Sequence, residues 1–149
     1  MTTCENCLSL EPDWLDNLLI QEEGYREFIY YDQFGNPTIG IGTNLKNGIS
    51  KKQALALLMV AKQDVENNLT QLPWYVGLDS VRKRVIIDMA YNMGVAGVLG
   101  FHGMIEAIIA KNWIQAAANM LNSLWAKQVG NRAVVLSEVM KTGIPPVSA

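Results

Sequence analysis

A helical run that halts at Gly24 and gives way at once to two short extended runs is the feature that most limits how this chain can fold. Trp14, Leu15, Leu18 and Leu19 recur at helical spacing after Pro12, a residue accepted in a first turn, so the spacing predicts a helix over about 12–23. Phe28 to Tyr31 and Thr38 to Gly42 then read as strands. The stretch Gln33-Phe34-Gly35-Asn36-Pro37 between them has the turn chemistry of a hairpin. A small β element therefore interrupts the chain early, and everything after it must be fitted around that interruption.

Beyond residue 49 the pattern is helical. Ser50 and Gln53 are spaced as a capping box, and Leu55, Leu58, Met59, Lys62 and Val65 carry one face on to about Thr70. Leu72-Pro73-Trp74 breaks the pattern, and Asp79 or Ser80 caps a helix bearing Val81, Val85, Ile86, Met89, Ala90 and Met93. The second half of that helix is apolar nearly all round, which predicts burial. Gly94, Gly97 and Gly100 predict a turn-rich stretch before a helix over about 101–111. Asn112 can cap another helix that holds Trp113, and Val135, Leu136, Val139 and Met140 form a last one closed by Thr142-Gly143. The fold class is α+β: a small β-hairpin lobe joined by a long helix to a larger helical lobe. The expected boundaries are an N-terminal segment over 1–11, one domain over 12–143 with its β lobe at about 24–49 and its helical lobe at about 70–143, and a tail over 144–149. Two lobes imply a cleft suited to an extended polymer.

Half of the 149 residues are hydrophobic and 17% are charged, which is enough apolar surface for a core without metal or disulfide staples. No apolar run approaches the length that spans a bilayer, so stable membrane insertion is not expected. Met1 to Ser9 lack the basic and apolar regions of a secretory signal, which predicts synthesis in the cytoplasm. With a net charge of -2 there is no basic field for nucleic acid. The one basic cluster, Arg82, Lys83 and Arg84, reads as a solvated helix face. Cys4 and Cys7 form an isolated C-x-x-C remote from the single histidine, His102, so they read as reduced thiols rather than as ligands; no metal and no cofactor are expected.

One histidine and no G-x-S-x-G leave little room for a serine or cysteine triad, and Gly40-x-Gly42 lacks the Walker lysine of a phosphate loop. Carboxylates remain. Cleaving a glycosidic bond needs one carboxylic acid to protonate the leaving oxygen and a second carboxylate across the reacting carbon. Glu23 at a helix end and Asp32 at a strand end can serve, and Thr38 on the facing strand offers a hydroxyl to hold a water. Taken alone this trio is common, and Glu23 reads equally well as a solvated helix residue and Asp32 as a turn residue bonding its own backbone.

The longer string Glu23-Gly24, Tyr30-x-Asp32, Gly35, Thr38-x-Gly40-x-Gly42 is far more specific, and it resembles the glycoside hydrolase family 24 lysozymes of phages. Arg82 to Gly94, then Gly97 and Phe101, resemble that family's central buried helix and the turn after it. Trp125 and Asn131-Arg132-Ala133 resemble its C-terminal signature, so the likeness runs from about Leu15 to Gly143. The resemblance implies a lysozyme-like fold and an inverting muramidase acting on peptidoglycan glycan strands. It makes Glu23 the general acid, Asp32 the second carboxylate, Thr38 the water-positioning threonine and Arg132 the partner of the acid. It also implies that Gly42, Tyr91 and Asn92 lie against substrate.

There are departures from the pattern: Thr43 stands where the family usually has histidine, and the connection from Asn44 to Ile49 is short, which implies a reduced β lobe. Two other functions are open at this level, a non-catalytic wall-binding module that keeps the fold and a lytic transglycosylase, which needs the acid but neither Asp32 nor Thr38. A monomer is expected, reaching the wall after lysis, through a holin-dependent route or on a particle.

Overall fold

The computed structural model describes residues 10–147. Cys4 and Cys7 lie outside the described residues. The chain divides into two compact units, with the boundary between Ala54 and Leu55.

The first unit opens with α1 (Trp14–Glu23). Its start falls later than the proline suggests, because Asp13 builds a reciprocal cap: its carboxylate accepts from the N–H groups of Leu15 and Asp16, and its own N–H donates to the Asp16 carboxylate. Gly24, at φ 72, ends the helix and sends the chain into β1 (Arg26–Tyr31). β1 pairs antiparallel with β2 (Pro37–Gly40), placing Tyr30 opposite Thr38 and Tyr31 opposite Pro37. The expected hairpin gains a third strand, β3 (Thr43–Asn44), which pairs with β2 through Thr38 and Ile39. Gly40 and Gly42, both at positive φ, allow the chain to reverse tightly between β2 and β3.

α2 (Lys51–Leu69) begins with the predicted capping box, in which the Ser50 N–H donates to Gln53 Oε1 and the Gln53 N–H donates to Ser50 Oγ. The helix starts in the first unit and lies mostly in the second. Proline does more than end the helical pattern near residue 72: Pro73, at an N-terminal position where its missing N–H costs nothing, opens α3 (Pro73–Val76). α4 (Ser80–Leu99) is capped by Asp79; of its predicted apolar face Val85, Ile86, Met89 and Ala90 are in the core, whereas Val81 and Met93 are only partly buried against it and Tyr91 is exposed. Gly94 breaks this helix with φ 78 and ψ 159, but the chain returns to helix over 95–99 where a turn-rich stretch was expected. α5 (His102–Ile109), α6 (Trp113–Leu121), α7 (Leu124–Val129) and α8 (Asn131–Thr142) complete the unit. Asn112 caps α6 through its side chain, and Gly143 closes α8 in the left-handed conformation. Four methionines, Met89, Met104, Met120 and Met140, are fully buried in one core with Leu69, Tyr75 and Ile86, where their unbranched chains fill the irregular space among the helices.

One expectation fails outright. Arg82 is not part of a solvated face: its side chain is only 11% exposed. Its guanidinium lies 4.1 Å from the centre of the Trp113 ring, and its Nη1 donates to Asp79 at 2.8 Å. Nε donates to the Met140 carbonyl at 2.7 Å and Nη2 to that of Lys141 at 3.2 Å, so Arg82 satisfies carbonyls that the end of α8 leaves without helical partners. A planar, five-donor cation can fill all these roles at once, and lysine cannot.

Candidate active site

Glu23 is the last residue of α1, and Gly24 turns the chain immediately after it, so its carboxyl projects from a helix end instead of along a helix face. The return loop comes back beside it. A Cβ built on Gly42 would lie 2.6 Å from Glu23 Oε2 and 2.9 Å from Cδ, and Gly42 has φ +67. Only glycine combines that backbone with that clearance. Gly42, singled out in the sequence, is therefore the surface against which the Glu23 carboxyl rests.

Asp32 follows β1 and opens the turn to β2. Its Oδ1 accepts from the backbone N–H groups of Phe34 at 2.8 Å and Asn36 at 2.9 Å, and its Oδ2 accepts from Asn36 Nδ2 at 3.2 Å. The turn is closed by Asp32 N–H donating to Asn36 O and Gly35 N–H donating to Asp32 O. The backbone N–H of Asn36 does most to hold the Asp32 carboxyl below its ordinary value of 3.8. Desolvation acts the other way, while the Asn36 side chain, the Phe34 N–H and the charge of Lys46 reinforce the lowering. Bonding by its own turn, the plain reading of Asp32, thus fixes the orientation and the charge that a catalytic carboxylate needs.

Thr38 sits on the central strand, paired with Tyr30 on one side and Asn44 on the other, and is 4% exposed. Its Oγ1 donates to the Asn36 carbonyl at 3.1 Å. Asn36 therefore joins the two residues: it donates to Asp32 through N–H and side chain, and accepts from Thr38. In the sequence Asn36 reads only as a turn residue. The signal for more lay in its position four residues after an aspartate and two before a threonine.

The remaining candidates lie in the second unit. Arg132 Nε donates to Asp88 Oδ1 at 2.7 Å, an ion pair about one-third exposed on both sides. Tyr91 and Arg132 both line a cavity of about 620 Å3, with Asp88 and Ile87. The Asn92 side-chain oxygen accepts from Trp125 Nε1 at 3.1 Å, and Trp125 packs edge-on against Phe101. Among the described residues no group of His, Cys, Asp and Glu side chains is placed to hold a metal ion.

Residues 20–139 match the phage lysozyme family. The chain belongs to that family. Phage lysozymes are glycoside hydrolases, and membership makes this chain a cell-wall hydrolase of the muramidase type. Probable T4-type lysozyme 1 of Dictyostelium discoideum is 32% identical, over an alignment covering 87% of this chain and 94% of that protein. Probable T4-type lysozyme 2 of the same organism is 28% identical with the same coverage. The pre-baseplate central spike protein Gp5 of Enterobacteria phage T4 is 27% identical over 85% of this chain, which corresponds to 27% of that protein. The phage lysozyme match takes in Glu23, Asp32, Thr38 and Arg132.

Proposed function

We propose that this lysozyme hydrolyses the β-1,4 bond between N-acetylmuramic acid and N-acetylglucosamine in peptidoglycan, with inversion at the anomeric carbon. Glu23 gives its proton to the glycosidic oxygen as the carbon–oxygen bond breaks. A water attacks the same carbon from the opposite side, passing a proton to Asp32. The observation that carries this reading is the hydrogen-bonded unit of Asp32, Asn36 and Thr38. The Thr38 hydroxyl has its proton committed to Asn36, so it meets a water as an acceptor. A water that donates one hydrogen to Thr38 Oγ1 and the other to Asp32 keeps a lone pair free for attack. Neither residue has work to do in a transglycosylase, where the sugar's own hydroxyl attacks.

Arg132, oriented by Asp88, serves in this proposal as the partner of the acid, and Tyr91 and Asn92 as residues that touch the glycan. The likeness to a baseplate spike protein supports a particle-borne route to the wall. Digestion of purified peptidoglycan, read by mass spectrometry and early proton NMR, tests the chemistry. Hydrated reducing ends that form first as the α anomer are expected. Anhydro ends would mean transglycosylation, β-anomer product would mean retention, and no release would leave a binding module.

A further inference from the structure

The turn that holds Asp32 also presents an aromatic ring to solvent. Phe34 is 80% exposed, although it sits in a turn over 32–36 that closes on itself through five hydrogen bonds. Tyr31, on the other side of Asp32, is exposed as well. Single exposed apolar side chains need no explanation. Here, however, a rigid turn carries the ring, and its own N–H grips the carboxylate at 2.8 Å. The backbone that bears the ring is thus fixed relative to the carboxylate, and the turn that holds the acid exposes a large flat apolar surface. A pyranose offers a matching apolar face of C–H groups, and a phenylalanine with two torsions loses little freedom when it is covered.

We propose that Phe34 is a substrate-binding residue that stacks on a sugar ring of the glycan strand next to the bond being cleaved, and so sets the register in which that bond meets Asp32. The inference rests on the muramidase reading above. It predicts uniform binding of ground and transition states, which alters KM and not kcat.

The test compares Phe34→Ala and Phe34→Trp with Phe28→Ala, an equally exposed ring on β1, using soluble uncrosslinked glycan strands. Titration of the β-1,4 tetramer of N-acetylglucosamine into Glu23→Gln, with and without Phe34→Ala, supplies a binding arm. Phe34→Ala should raise KM about tenfold with kcat within about twofold, and should weaken tetramer binding by a similar factor. Phe34→Trp should restore both, and Phe28→Ala should change neither. The acid limb of the pH profile should stay in place, because alanine keeps the N–H that holds Asp32. Unaltered KM in Phe34→Ala, equal effects in Phe28→Ala, or no recovery with tryptophan would overturn the proposal. A moved acid limb with a loss in kcat would overturn it too, assigning Phe34 to the rigidity of the turn instead. If wild-type protein released no reducing ends, the muramidase reading would fall and this inference with it; an active wild type with an indifferent Phe34 removes the inference alone.

Discussion

The carboxyl of Glu23 occupies the space that a side chain on residue 42 would fill, with Oε2 only 2.6 Å from the position of a Cβ on Gly42. The last glycine of the Thr38-x-Gly40-x-Gly42 string is thereby tied to an acid that lies a helix end and two strands earlier in the chain. Gly42→Ala must both adopt a positive φ, at about 1–2 kcal/mol for an L residue, and push the carboxyl aside. Because Glu23 is an exposed terminal helix residue, the carboxyl will yield before the backbone does. A folded variant with a slightly lower Tm and hydrolysis reduced at least about tenfold is expected. Thermal melts beside initial rates on purified peptidoglycan check it, and wild-type rates would show that the acid works from another position.

Glu23→Gln keeps shape and removes the proposed proton donor. Turnover should fall by about three orders of magnitude or more while the melting curve is unchanged. Glu22→Gln, one residue earlier in α1, should stay within about twofold of wild type. Reversed phenotypes would assign the acid to the neighbouring residue.

The proposed mechanism makes the pH dependence a property of Asp32. It requires Asp32 ionised, and the Asn36 N–H holds its pKa below 3.8, so the acid limb should lie below the ordinary carboxylate range. Asn36→Ala keeps the backbone N–H but removes the side-chain donor to Oδ2 and should move that limb to higher pH. The same sign applies to stability: a lowered native pKa stabilises the fold above the unfolded value, and the contribution is lost as pH falls through the native one. Profiles of kcat/KM for wild type and Asn36→Ala should show the displacement, and coincident acid limbs would remove Asn36 from this role.

Arg82 belongs to the fold rather than to the chemistry. Arg82→Ala abandons two α8 carbonyls, the pair with Asp79 and the stack on Trp113, and should cost about 2–4 kcal/mol of stability. Denaturant unfolding should record the loss. Arg82→Lys should recover only part of it, whereas kcat at temperatures well below unfolding should be unchanged.

These residues also mark what a single sequence displays. Local signals were legible because they act over three or four positions: the Ser50 and Gln53 box, the Asn112 cap, the Gly24 stop and the turn chemistry after Asp32 all read directly, although Pro37 belongs to β2 and not to the turn. β3 was hidden because two residues, Thr43 and Asn44, are too few for an alternating pattern and gain strand geometry only from pairing with Thr38 and Ile39. Helix over 95–99 was masked by glycines whose low propensity is outweighed by burial of Val98. Arg82 looked like a surface cation because its carbonyl partners come from 58 and 59 positions away. In the site, Glu23, Asp32 and Thr38 stood out through family likeness, whereas Asn36 emerged only when the turn was seen to close.

In the proposed mechanism Thr38 bears the part that separates hydrolysis from transglycosylation. It is 4% exposed on the central strand, and its hydroxyl donates to Asn36 O, so the proposed water finds only an acceptor there. Thr38→Val keeps the β-branched shape that suits a strand and deletes the oxygen. The lost hydrogen bond should cost about 0.5–1.5 kcal/mol of stability, while loss of water orientation should lower hydrolysis on the order of a hundredfold. Thr38→Ser, which keeps the hydroxyl, should recover most of the rate even though it packs less well. The two effects therefore separate: both variants should lose some stability, Thr38→Val through the hydrogen bond and Thr38→Ser through packing, but only Thr38→Val should lose the rate. Melting temperatures and reducing-end release, measured for both variants on the same peptidoglycan, decide between them. If Thr38→Val hydrolysed at the wild-type rate with hydrated products, the water would have to be held by another group, and Thr38 would be left as a buried strand residue whose hydroxyl serves the turn.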